Sequence, residues 1–141
     1  MLRTGRLLSQ TVNLLDTLQN KLLNFYLAGD TALAMHYEHR VSFDLDFFSA
    51  ESYRPEVLLE YLKQFGVSVE NVRLQTGTLE AEIEGVRASF FEYHYALVEP
   101  LEKYKSLDVA SVIDIAAMKL SAIAARAEKK DYFDLAEILK R

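Results

Sequence analysis

At 141 residues, half of them hydrophobic, the chain can bury one sizeable core and is expected to form a single domain over 1–141. It contains no cysteine, which excludes disulfides and thiolate zinc sites and gives no sign of an oxidising compartment. A formal charge of −5 argues against a broad nucleic-acid-binding surface and leaves room only for a confined basic site.

The chain opens on basic residues at Arg3 and Arg6, but Gln10, Asn13, Asp16 and Gln19 interrupt the apolar residues of the next stretch. No signal-peptide core and no membrane-spanning run is expected, and the cytoplasm is the default location. Leu8, Val12, Leu15, Leu18 and Leu22 recur at helical spacing and predict a helix from about 7 to 23. Phe25 to Ala28 reads as a short strand, Gly29 as a turn, and Asp30 as the N-cap of a short helix through about Tyr37. Such a strand–turn–helix presents free backbone N–H groups to an anion.

Val41-Ser42-Phe43-Asp44-Leu45-Asp46-Phe47-Phe48 alternates apolar and polar residues. The period predicts a strand with Val41, Phe43, Leu45 and Phe47 on one buried face and Ser42, Asp44 and Asp46 on the other. Residues two apart on a strand are separated by roughly 6.6 Å, so both carboxylates can converge on one divalent cation. Two acids on the wet side of an amphipathic strand are the ordinary alternative, and they need no ligand. Pro55 suits the first turn of a helix running to about Phe65, closed by Gly66.

Three strands come next, near 67–74, 78–84 and 86–93, punctuated by Thr76-Gly77 and by Gly85. Glu80, Glu82 and Glu84 share one face of the second and read as a solvated row. The segment through Pro100 and Tyr104 reads as a connector to a helix from about 111 to 126, with a final helix from about 130 to 139. The helix from 111 is nearly apolar all round, which marks it as buried, yet it carries Lys119. A lysine there either snorkels to solvent or, with Arg126 on about the same stripe, lines a groove holding phosphate. Asp131 and Asp134 share a helix face, and Lys130 can pair with Asp134 at i,i+4 spacing. His36 and His39 are near one another without a third ligand, so no zinc site is expected, and His94 reads as structural.

The stretch Phe25 to His36, with Ala28-Gly29-Asp30-Thr31-Ala32-Leu33 at its centre, followed by His39 to Ser49, resembles the opening motifs of the AbiEii/AbiGii abortive-infection toxins. That family is a branch of the DNA polymerase β-like nucleotidyltransferases. Ala110 to Leu120 and Lys129 to Leu135 resemble the family's two C-terminal motifs, so four motifs fall in the right order over nearly the whole chain. The resemblance implies an α+β fold, a mixed β-sheet of the polymerase β palm type flanked by helices. It implies Mg²⁺, or Mn²⁺, held by Asp44 and Asp46, and an NTP whose phosphates are cradled by Gly29, Asp30, Thr31, Arg40, Ser42 and Lys119. Asp131 would orient or deprotonate the acceptor, with Asp134 as second choice. The acceptor would be tRNA or a protein hydroxyl, and a cognate antitoxin protein would be a partner.

Two positions depart from the family pattern. Asp30 stands where family members usually have glycine or serine, and Ser89 stands where many polymerase β-like enzymes place a third carboxylate. The chain is also shorter than is usual for the family. These departures favour a second reading, a catalytically inactive protein of the same fold that binds a nucleotide or a partner. A metal-dependent phosphohydrolase is a third.

Overall fold

The computed structural model describes residues 1–126 and 129–140, the side chains of 122–133 and 135 excepted. Helix α1 (Ser9–Leu18) buries Leu14, Leu15 and Leu18, the inward members of its helical repeat. It stops short of the expected end near 23 because the Lys21 ammonium, rather than another turn of backbone, takes the Thr17 carbonyl at 2.8 Å. Strand β1 (Tyr26–Ala28) then runs into α2 (Gly29–Tyr37), whose first six residues after Gly29 are all buried.

Strand β2 (Leu45–Ser49) is shorter than the alternation at 41–48 predicts. Its partner β1 ends at Ala28, which pairs with Asp46, and its partner β5 (Val86–Glu92) pairs no earlier than Leu45 with Ala88. Residues 41–44 therefore have no ladder to join apart from an isolated bridge between Leu7 and Ser42. Phe43, expected in the core, is 59% exposed, and Val41 is exposed as well, while Ser42 is buried.

Helix α3 (Pro55–Lys63) begins with its proline in the first turn and buries Leu58 and Leu62. Strands β3 (Val69–Gln75), β4 (Thr78–Ile83) and β5 form an antiparallel meander. A hairpin of β6 (Glu102–Tyr104) and β7 (Leu107–Val109) lies where a connector was expected. Its three-residue strands are too short to show a period. It is tied to the end of α1 by Tyr104 and Lys105 on the Asp16 carboxylate and by the Ser106 N–H on Gln19.

The seven strands form one mixed sheet in the order β3-β4-β5-β2-β1-β7-β6, with β2·β5 and β1·β7 parallel. The fold is thus α+β, a mixed sheet flanked by helices, as expected. Leu45, Phe47, Leu79, Ile83, Ala88 and Phe90 project into a core shared with Leu14 and Leu18 of α1, Leu33 and Met35 of α2, and Leu62 of α3. Alternation turns Asp46, Phe48, Ser89 and Phe91 to the other face.

Helix α4 (Val112–Arg126) starts after Ser111, whose hydroxyl accepts the Asp114 N–H at 3.1 Å and donates to the Asp114 carboxylate at 3.0 Å. The same carboxylate accepts the N–H groups of Val98 and Glu99 and so pins the preceding loop. The helix is not buried all round, since Ile113 and Leu120 are exposed. Helix α5 (Lys129–Lys140) packs on it.

Candidate functional site

The end of β1 builds one corner. Pairing sets Ala28 against Asp46, and Gly29 comes next with φ of +69°, a left-handed conformation that residues with a side chain rarely adopt. A Cβ on Gly29 would lie 2.6 Å from Asp46 Oδ2, so the carboxylate is seated in a cradle that only glycine leaves open. The next two residues are the first turn of α2. The Thr31 hydroxyl contacts Ser42 Oγ at 2.7 Å and also donates to the Asp44 carbonyl, which ties 42–44 to the helix start.

Asp30 is not a cap. Helix α2 begins at Gly29, its N-cap is Ala28, and no side chain caps it. The Asp30 carboxylate pairs instead with Lys119 and, through Oδ2 at 3.0 Å, with Arg40 Nη2. A charge-assisted bond to a cation holds a carboxylate more strongly than one to a neutral backbone N–H. Lys119 is only 4% exposed and does not snorkel; its ammonium also lies 2.9 Å from Asp134 Oδ2.

Asp134 is fully buried at 0% exposure. Arg40 grips it with two hydrogen bonds of 2.8 Å, from Nε to Oδ1 and from Nη2 to Oδ2, and His39 Nε2 lies 2.6 Å from Oδ1. Burial pushes the Asp134 carboxyl up, but the hydrogen bonds from Arg40, His39 and Lys119 outweigh it and hold the pKa at about 2. Asp30 and Asp134 thus each face both Lys119 and Arg40.

No protein-family model matches the chain. A protein of Aquifex aeolicus (strain VF5), uncharacterized protein aq_aa25, is 39% identical over 128 residues, 84% of this chain. The chain spans 59% of that relative's length. Among solved structures, it superposes on JHP933 from Helicobacter pylori with a TM-score of 0.67 at 19% identity, over 96% of this chain and 68% of that one. A proposed nucleotidyltransferase from H. pylori gives 0.66 at 18% identity, over 94% and 66% of the two chains. The Megavirus polyadenylate synthase gives 0.61 at 15% identity, over 93% of this chain and 30% of its own.

The fold is that of a nucleotidyltransferase. Within this nucleotidyltransferase fold, the residues singled out in the sequence divide into three groups. Gly29 meets Asp46, Asp30 meets Lys119 and Arg40, and Thr31 meets Ser42, so three consecutive residues at the start of α2 link these contacts into one region. Asp44 enters that region through its carbonyl; it lies before the ladder begins, so strand alternation does not aim its side chain. Asp131, like Arg126 and Lys130, has its side chain outside the described residues.

Asp134 and His39 are the members that sequence reasoning underrates. Spacing makes Asp134 a surface partner of Lys130, and His39 only half of a zinc pair. A signal for Asp134 does exist: it lies one helical turn before Ile138, which packs against the core, so that stripe faces inward. Ser89 is the register partner of Asp46 on β5, and it is buried. Glu92 is engaged elsewhere, accepting the Tyr53 N–H at 3.2 Å and lying 3.0 Å from His94 Nε2. Of the glutamate row, Glu82 on β4 and Glu84 in the turn after it are exposed as expected, and Glu80 lies 3.4 Å from Arg87.

Among the described residues no three His, Asp or Glu side chains form a metal-holding group. Asp44 and Asp46 nonetheless offer the hard oxygen donors that Mg²⁺ takes when substrate phosphates complete its shell. The absence of a Cβ at Gly29 is what lets the Asp46 carboxylate sit at that corner. No helix among the described residues is long and apolar enough to cross a membrane.

Proposed function

We propose that the chain is a nucleotidyltransferase, of the kind found as the toxin component of AbiEii/AbiGii abortive-infection systems, which transfers a nucleotidyl group from an NTP to an RNA or protein hydroxyl. The observation that carries this reading is the meeting of Asp46 with the Gly29 corner, one residue from the Asp30 carboxylate that engages Lys119 and Arg40. Carboxylates beside a glycine turn, a helix N-terminus, the buried Lys119 and the partly buried Arg40 make up the equipment for positioning a polyphosphate.

In the reaction the acceptor hydroxyl oxygen would attack the α-phosphorus, the bond from that phosphorus to the bridging oxygen would break, and pyrophosphate would leave. Backbone N–H groups at Gly29 and Thr31 would face the phosphates, and Lys119 and Arg40 would neutralise them. Thr31 and Ser42 would hold the 42–44 segment in place. Mg²⁺, or Mn²⁺, held by Asp44 and Asp46, would stabilise charge on the phosphates and lower the pKa of the attacking hydroxyl. Asp131 would orient or deprotonate the acceptor, tRNA or protein, and a cognate antitoxin would restrain the enzyme.

The test is incubation of each labelled NTP with Mg²⁺ and total RNA or protein, using wild type and Asp46→Ala. Labelled acceptor with wild type alone supports the transferase. Release of free phosphate or pyrophosphate with no labelled acceptor turns the reading to a phosphohydrolase. A second reading, a protein that binds nucleotide without turnover, is favoured by Ser89, which puts a hydroxyl beside Asp46 on the neighbouring strand. Saturable nucleotide binding with neither labelling nor hydrolysis would select it.

A further inference from the structure

The cations expected to receive a nucleotide's phosphates are already engaged by carboxylates of the chain itself. Arg40 has five N–H donors. Nε and Nη2 serve Asp134, Nη2 also serves Asp30, and Nη1 donates to the Val41 carbonyl at 3.3 Å. Lys119 is shared by Asp30 and Asp134. Four of the five Arg40 N–H donors are thus met within the chain, and a phosphate that is to bridge Arg40 and Lys119 must take the place of one of the two carboxylates.

We propose that Asp30 is an internal stand-in for a phosphate, occupying the cation pair until an incoming polyphosphate displaces it, and that Asp30 thereby sets how tightly this site takes a nucleotide. The inference rests on the nucleotide-binding reading of the same site.

Asp30, rather than Asp134, is the one that yields. Asp134 is fully enclosed and is met by Arg40 twice, by His39 and by Lys119. Asp30 stands at the edge of the cluster with 8% exposure, in the first turn of α2, where backbone N–H groups would greet a phosphate in its place. Its carboxylate presents two oxygens to the same lysine and arginine that a phosphate's oxygens would meet. Release of Asp30 leaves Lys119 and Arg40 anchored by Asp134, aimed but with one carboxylate fewer upon them. One negative charge is thus exchanged for another, and a ligand succeeds only if it offers more charge or more contacts than a single carboxylate. The chemistry selected is a triphosphate over a monophosphate.

The test compares wild type, Asp30→Asn and Asp30→Ser for equilibrium binding of ATP, GTP, CTP and UTP, and of inorganic triphosphate and phosphate, at fixed ionic strength with Mg²⁺. Both variants are expected to bind triphosphates roughly tenfold to a hundredfold tighter, the scale of one charge-assisted hydrogen bond, with a smaller preference for triphosphate over phosphate. Equal or weaker binding by the variants, with wild type binding, overturns the role of Asp30 and leaves the nucleotide reading standing. Absence of triphosphate binding by all three folded proteins overturns both. Should the variants not fold, wild type labelled with ¹³C at aspartate carboxyls supplies the answer. The Asp30 resonance is expected to shift on saturation with inorganic triphosphate, and an unmoved resonance at saturation overturns the proposal.

Discussion

Arg40 and Asp134, 94 residues apart in the chain, are joined by two parallel hydrogen bonds of 2.8 Å that lock the segment after α2 to helix α5. The pair is the central joint of the cluster. Through it the C-terminal helix, the 38–44 segment and Lys119 of α4 share one buried carboxylate.

Truncating that carboxylate leaves the buried Lys119 and the partly buried Arg40 under-neutralised. Asp134→Ala is expected to lose about 3–5 kcal/mol of stability, the scale for removing one partner from a buried ion pair. Urea unfolding followed by circular dichroism would measure it. A loss below about 1 kcal/mol would mean that the cluster is open to water in solution.

The same contact sets an acid limit. The Asp134 pKa is held at about 2, below the ordinary aspartate value of 3.8, so its contribution is fully present above about pH 4. It is lost as pH falls from about 4 through about 2, because the unfolded chain takes up the proton first, and it is worth on the order of 2 kcal/mol. Stability profiles of wild type and Asp134→Asn between pH 2 and 6 are expected to converge in that window. Parallel profiles would show that another group controls acid unfolding.

Gly29→Ala carries two separate costs, a left-handed backbone conformation and a Cβ 2.6 Å from Asp46 Oδ2. The backbone term alone is about 1–2 kcal/mol. Adding Asp46→Ala should recover part of the loss by removing the clashing oxygen but not the backbone strain. Thermal melts of the two single variants and the double variant form the cycle, and full additivity of the losses would show that the two residues do not meet.

Ser89→Asp would set a second carboxylate beside Asp46 across the β2–β5 ladder. Two parallel carboxylates in partly buried surroundings repel, so the variant is expected to melt below wild type without metal. If the face takes a divalent cation, Mg²⁺ should then raise the variant's Tm by several degrees more than that of wild type. Equal Mg²⁺ responses would place any cation away from Asp46.

Much of the architecture was legible along the chain. The helices at 9–18, 29–37, 55–63 and 112–126, the three meander strands and the Gly29 turn all arise from apolar period and turn chemistry acting over a few neighbouring residues. The register of β2 was less so. Alternation carries on through Val41 and Phe43, but a strand needs a partner, and β1 has turned away into α2 at Gly29. The short β6–β7 hairpin left no period to read at all.

The amino-acid order by itself determined which groups were available: an aspartate beside a glycine turn, a lysine inside an apolar helix, and carboxylates near the C-terminal end. Local propensity and spacing decide such features, and they need no distant contact. Only the tertiary structure decided how those charges pair. It set Asp30 on Lys119 and Arg40 rather than on its own helix end, and Asp134 on Arg40, 94 residues away along the chain. Each group bonds where desolvation makes a partner count most, and that place exists only once remote segments have closed around it.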